Sequence, residues 1–179
     1  MNTTANKITI FRILLIPVFI LLLYLDLVYW AFAVYLIACG SDVADGHIAR
    51  KYNQVTDFGK FMDPLADKML VLSAMCYFIE VGLIPGWAVA VVMLREFAVS
   101  GLRLLAVEQG IVIAAAISGK VKTFATMVAI GTLILIRESW APWPNVLIPL
   151  CTMVIVAVTV YSGFDYFITN RRIFKFDKK

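Results

Sequence analysis

The chain has 179 residues, enough for one compact domain. Hydrophobic residues make up 62% of it and mean hydropathy is +0.89, against roughly 45–50% apolar usage in soluble domains, so lipid is the expected solvent for much of its surface. A net charge of +4 and a pI of about 9.0 would suit a nucleic-acid partner, but the charges fall between and at the ends of apolar runs, which argues for no nucleic acid and for a membrane protein with a basic cytoplasmic face.

A helix that crosses a bilayer needs about 20 mostly apolar residues. Six such runs are predicted, at 8–25, 29–48, 60–80, 84–107, 118–136 and 146–168. The first begins like a secretory signal, with Lys7 and Arg12 before the run Ile13 to Leu25 and Ala31-Phe32-Ala33 as a cleavage-like site. Because apolar runs continue through the whole chain, it is read as a retained helix. Turn chemistry marks the breaks: Asp26 after the first run, Pro85-Gly86 at the fourth, Gly119 at the fifth and Pro142-Trp143-Pro144-Asn145 before the sixth. No repeat or long linker divides the chain, so residues 1–179 are expected to form a single all-α membrane domain. Cys39, Cys76 and Cys151 lie far apart within apolar runs and read as small packing residues.

Six crossings put both termini and the loops near 50–60 and 108–122 on one side. Of the 16 basic residues only Arg137 falls on the other, so both termini are expected to be cytoplasmic. Trp30, Trp87, Trp140 and Trp143 fall near the opposite side, as an interfacial aromatic belt. The basic tail from Arg171 to Lys179 suits anionic membrane lipids.

Four aspartates sit around the short connection between the second and third runs. Asp42 and Asp45 are three apart and share one helix face; Asp63 and Asp67 are four apart and share another. The two helices should be antiparallel neighbours, so both pairs converge at the cytoplasmic boundary. Four gathered carboxylates repel and are costly to desolvate. Hard divalent cations offset this, and four carboxylates suit two metal ions that clamp a phosphate. Gly46 and Gly59 leave backbone open to a ligand, and Arg50 offers a planar fork for phosphate. Ion pairing with Lys51, Lys60 and Lys68 would explain one aspartate but not the constellation.

In this segment the chain resembles the CDP-alcohol phosphotransferases. Their motif, D-x-x-D-G-x-x-A-R followed after eight residues by G-x-x-x-D-x-x-x-D, is met at Asp42, Asp45, Gly46, Ala49, Arg50, Gly59, Asp63 and Asp67. Asn6, Thr9, Arg12 and Pro17 resemble the family's N-terminal segment. The resemblance implies a six-helix membrane enzyme and a homodimer. It implies that Asp42, Asp45, Asp63 and Asp67 bind two Mg²⁺, with Mn²⁺ as an alternative, and that Gly46, Ala49, Arg50 and Gly59 line the cytidine-diphosphate pocket. Asp67 would also be the base that takes the acceptor's proton, and the acceptor hydroxyl would displace CMP from CDP-diacylglycerol.

The acceptor is sought in the second half. Arg95 and Arg103 are eight apart on the fourth helix, within about 80° of each other around it, and arginine within a span usually faces a polar cavity. With Lys120 and Lys122 they are expected to form a pocket for the acceptor's phosphate. Alternatives are a structural pair of Arg95 with Glu96 or Glu108, and simple snorkelling of the lysines. A phosphate pocket favours sn-glycerol 3-phosphate, giving phosphatidylglycerophosphate and CMP, and the stretches 95–103 and 119–123 are similar to the family's glycerol-3-phosphate users. Inositol phosphate, serine and phosphatidylglycerol are the alternative acceptors. His47 reads as incidental, and Asp165 as orienting a basic residue or solvated. A divalent-cation transporter is the reading from another class, but its carboxylates belong near the bilayer midplane on broken helices, not at helix ends.

Overall fold

The computed structural model describes residues 4–51, 57–108, 113, 116–137 and 144–171; the side chains of 4–7, 42–51, 57–61, 63, 64, 67 and 144 fall outside that description. Among the described residues there are six helices and no strand: α1 (Thr4–Tyr24), α2 (Val28–Lys51), α3 (Asp57–Glu80), α4 (Gly86–Glu108), α5 (Ile117–Ile136) and α6 (Pro144–Thr169). They coincide with the six predicted runs. The largest departure is at the start of α1, at Thr4 rather than residue 8, because Thr4 to Lys7 are helical without being apolar. For the same reason α2 runs on to Lys51 and α3 begins at Asp57, so the acidic motif is helical on both sides of its connection.

By length and composition, α5 and α6 are long and apolar enough to cross a membrane; α1 and α2 carry shorter apolar stretches, Ile8–Tyr24 and Val28–Ser41. On α6, Val146, Leu150, Met153, Tyr161, Phe164 and Ile168 form an exposed apolar stripe. An outward apolar stripe is the reverse of a water-facing helix. Trp30 and Trp87 are also exposed, while Trp140 and Trp143 lie outside the described residues.

The chain falls into two compact units, Met1–Leu83 with Ile130–Pro144, and Ile84–Ala129 with Asn145–Lys179. In the first, Arg12 meets Ser41 and Phe19 meets Tyr35, so α1 and α2 run in opposite directions. Leu23 and Tyr24 meet Tyr77 and Glu80, so α1 and α3 run in the same direction. The acidic segments of α2 and α3 therefore lie at one end of this unit, beside the start of α1. Its core includes Phe19, Leu23, Tyr35, Leu70, Met75 and Phe78. Gly131 keeps the end of α5 close to α2: a Cβ there would stand 3.3 Å from the Phe32 ring.

The opposite end of this unit is built around the last turn of α1. Asp26 adopts a left-handed φ of 57°, which lets Leu27 N–H reach back to the Leu22 carbonyl at 3.0 Å. This is the usual αL helix stop, with Asp, which tolerates αL, in place of Gly. The Leu23 carbonyl accepts from Tyr77 Oη at 3.0 Å and from Arg137 Nη1 at 3.0 Å. Arg137 also pairs with Asp26 and lies 5.2 Å over the Tyr77 ring. A cation here complements the helix dipole. Arg137, the sole basic residue expected on this side, thus has a structural role. Arg137→Ala is expected to lower stability by about 1–3 kcal/mol through the lost charge-assisted hydrogen bond to that carbonyl and the lost ring contact. Asp26 is 73% exposed, so Asp26→Asn, which removes the charge and still tolerates αL, is expected to cost under about 1 kcal/mol. Thermal unfolding in detergent checks this; equal losses would contradict it.

In the second unit Arg95 meets Ser162 and Arg103 meets Tyr166, so α4 and α6 run in the same direction. Glu96 meets Lys122, while Ala116 packs on the Val99, Leu102 and Ala106 cluster, so α5 runs against α4.

Candidate active site

The acidic motif is placed by backbone alone. Asp42, Asp45, Gly46, Ala49 and Arg50 lie in the last part of α2, and Gly59, Asp63 and Asp67 in the first part of α3. Their side chains, and that of His47, fall outside the described set. Among the described residues no three His, Cys, Asp or Glu side chains gather as a metal site. Beside this end of α2, Arg12 and Thr9 are each 1% exposed. Arg12 Nε donates to Ser41 Oγ at 3.2 Å, and that hydroxyl donates to the Ala38 carbonyl at 2.8 Å. Arg12 is thus anchored to the residue that precedes Asp42.

The second unit carries a polar cluster whose side chains are described. Arg95 Nη1 donates to Glu96 Oε1 at 3.1 Å, and Lys122 Nζ meets the same oxygen at 2.5 Å. Arg95 and Glu96 side chains are each 12% exposed and Lys122 is 7% exposed. Arg95 Nη2 donates to Ser162 Oγ at 2.6 Å, while its Nε is buried with no hydrogen-bond partner. Among the described residues two cations share one carboxylate, so the cluster they form carries a surplus positive charge. The Arg95–Glu96 pairing weighed from the sequence is present, but it does not neutralise the site.

Arg103 stands apart from this cluster. Its Nε donates to Tyr166 Oη at 2.8 Å and its guanidinium lies 5.5 Å from that ring's centre, while the side chain stays exposed. Lys120 departs from the expected pocket: it is exposed and outside the cluster. The reason is helical geometry. Residues two apart lie about 200° around a helix, so Lys120 and Lys122 cannot share a face.

Asp165 accepts the Ser118 hydroxyl, tying α6 to the first turn of α5, rather than orienting a basic residue. Beside this pair a cavity of about 390 Å³ is lined by Ile117, Val121, Val158 and Tyr161. Ser118 has no role in the sequence reading, and Ser162 and Tyr166 enter it only within the stretch 161–166 at the border of the expected active-site cavity. Their signal was nonetheless there: Ser118 and Lys122, and Ser162 and Tyr166, are each four apart, polar stripes on otherwise apolar helices.

The first unit thus carries the acidic segments of α2 and α3 at one end, and the second, among the described residues, two buried cations on one carboxylate. Residues 2–163 match the family of CDP-alcohol phosphatidyltransferases, and the chain belongs to that family. Among similar proteins, the CDP-diacylglycerol–glycerol-3-phosphate 3-phosphatidyltransferase of Bacillus subtilis (strain 168) is 40% identical, over 95% of this chain and 96% of its own length. The enzyme of the same name from Escherichia coli (strain K12) is 38% identical, over 88% of this chain and 89% of its own. A probable phosphatidylglycerophosphate synthase of Mycobacterium tuberculosis (strain CDC 1551 / Oshkosh) is 37% identical, over 90% and 78%.

Proposed function

We propose that this chain transfers the phosphatidyl group of CDP-diacylglycerol to sn-glycerol 3-phosphate, yielding phosphatidylglycerophosphate and CMP in phospholipid biosynthesis. The observation that carries the acceptor is the buried Arg95–Glu96–Lys122 cluster, whose surplus charge suits a phosphorylated acceptor over serine. The names of the relatives above point to the same acceptor.

In this reading Asp42, Asp45, Asp63 and Asp67 hold two divalent cations, Mg²⁺ or Mn²⁺. The donor chemistry fits: hard carboxylates in two helical pairs at one end of the first unit. When bound, such ions neutralise the diphosphate and stabilise the leaving CMP. Gly46, Ala49, Arg50 and Gly59 line the cytidine-diphosphate pocket. Arg95, Lys122 and Arg103 bind the acceptor's phosphate, and Asp67 takes the proton from its attacking hydroxyl. That oxygen bonds to the lipid-linked phosphorus as the bond to the CMP oxygen breaks.

The reading also places the six helices across a cell membrane, with both termini and the active site on the cytoplasmic side. The distribution of Lys and Arg and the exposed apolar stripe of α6 support it. A homodimer belongs to the same reading, supported by the family resemblance.

The test is CMP release by the purified chain in detergent, with CDP-diacylglycerol, Mg²⁺ and each acceptor in turn. Turnover is expected with glycerol 3-phosphate, to stop with EDTA and to return with excess Mg²⁺ or Mn²⁺. Turnover with inositol phosphate, serine or phosphatidylglycerol, and none with glycerol 3-phosphate, would overturn the acceptor.

A further inference from the structure

We propose that Glu96 is a positioning residue for acceptor recognition: its carboxylate fixes Arg95 and Lys122 in the arrangement that receives the acceptor's phosphate, given that this phosphate binds there as read above. Glu96 does not touch substrate in this role. It acts through the two cations.

Lysine is a compact charge on a flexible four-carbon stem, and its ammonium goes where an acceptor holds it. Lys122 enters from α5, and Glu96 Oε1 at 2.5 Å holds it. The same oxygen receives Arg95 Nη1 at 3.1 Å, so one atom sets the spacing of two cations from two helices. Arg95 is fixed from a second direction by Ser162 on α6. Gly163 makes room for this: a Cβ there would stand 3.3 Å from Arg95 Cγ. A guanidinium held at both Nη atoms is oriented before any ligand arrives, and its buried Nε still lacks an acceptor. Buried donors are rarely left so.

A carboxylate among cations has an opposite possible effect. It lowers the local positive charge, and on that ground alone its removal would tighten phosphate binding. The two effects give opposite signs. Misplacing binding groups by about 1 Å can cost on the order of 10²-fold, and charge-assisted hydrogen bonds depend on such placement. Positioning is therefore the stronger effect here.

The experiment compares the full-length chain with Glu96→Gln and Glu96→Asp in detergent, measuring kcat and the KM for each substrate. Glu96→Gln is expected to raise the KM for glycerol 3-phosphate by about tenfold or more, with the KM for CDP-diacylglycerol within about twofold. Glu96→Asp keeps the charge with one methylene less reach. It is expected to fold and to show a smaller rise in the same KM alone. Should Glu96→Gln not fold, Glu96→Asp carries the test by itself. A glycerol 3-phosphate KM that is unchanged or lowered, or two KM values that rise together, would overturn the positioning role. Wild-type chain that releases no CMP with glycerol 3-phosphate would instead sink the acceptor reading.

Discussion

Asp67→Asn is expected to lower CMP release by about 10²–10⁴-fold, the range for loss of a general base. Asparagine keeps the size and a carbonyl oxygen but can take up no proton. Its amide is also a poorer ligand for a hard cation, so two losses coincide at this position. They can be separated. Where an aspartate only binds metal, as proposed for Asp42, excess Mg²⁺ should restore part of the turnover of the Asn variant. At Asp67 saturating Mg²⁺ should leave most of the loss in place. The helix itself should persist, since residue 67 lies inside α3, well past its first turn. Circular dichroism checks that, and turnover at increasing Mg²⁺ checks the rest. Full turnover by Asp67→Asn would remove the base assignment, and full rescue by metal would reduce Asp67 to a ligand.

What could be read from sequence alone follows the range of the interactions involved. Asp42 with Asp45, and Asp63 with Asp67, are related by one helical turn each, so spacing alone puts each pair on one face. The direction of α2 against α3 follows from a connection too short for anything else. The six helices were legible because lipid-suited runs end where polar residues begin, although α1, α2 and α3 run on past those points into Thr4, Lys51 and Asp57. The basic cluster was legible only as a list of charges. Its actual membership depends on contacts between residues far apart in the chain, Glu96 with Lys122 and Arg95 with Ser162. No local periodicity encodes those. From the sequence, Lys120 and Lys122 are expected in one pocket although residues two apart lie on opposite helix faces; which of the two turns inward is decided by the packing of α5 against α4. Arg137 was likewise visible only as the lone cation of its side; its function as the cap of α1 needed the contact with Leu23.

Lys122→Met and Arg95→Met are each expected to raise the KM for glycerol 3-phosphate by roughly ten- to a hundredfold, the equivalent of one hydrogen bond to a charged group at about 1.5–3 kcal/mol. Neither should unfold the chain, and the reason lies in the cluster's stoichiometry. With Lys122 gone, Glu96 keeps Arg95; with Arg95 gone, it keeps Lys122. Each single variant leaves one cation against one carboxylate, a balanced pair. Removing both cations takes from Glu96, 12% exposed, both of the ion pairs that α4 and α5 give it. Breaking a buried pair from one side costs about 3–5 kcal/mol. The double variant should therefore show a much lower thermal midpoint than the sum of the singles, because the two sites share one partner. Activity and stability then report on different properties of the same three residues: phosphate binding scales with the cations present, while folding depends on how many of its cations the carboxylate keeps. Lys122→Met with an unchanged KM for glycerol 3-phosphate would show that this lysine serves the fold alone. The acceptor's phosphate would then fall to Arg103, the exposed cation that Tyr166 holds one helical turn along α6 from Ser162.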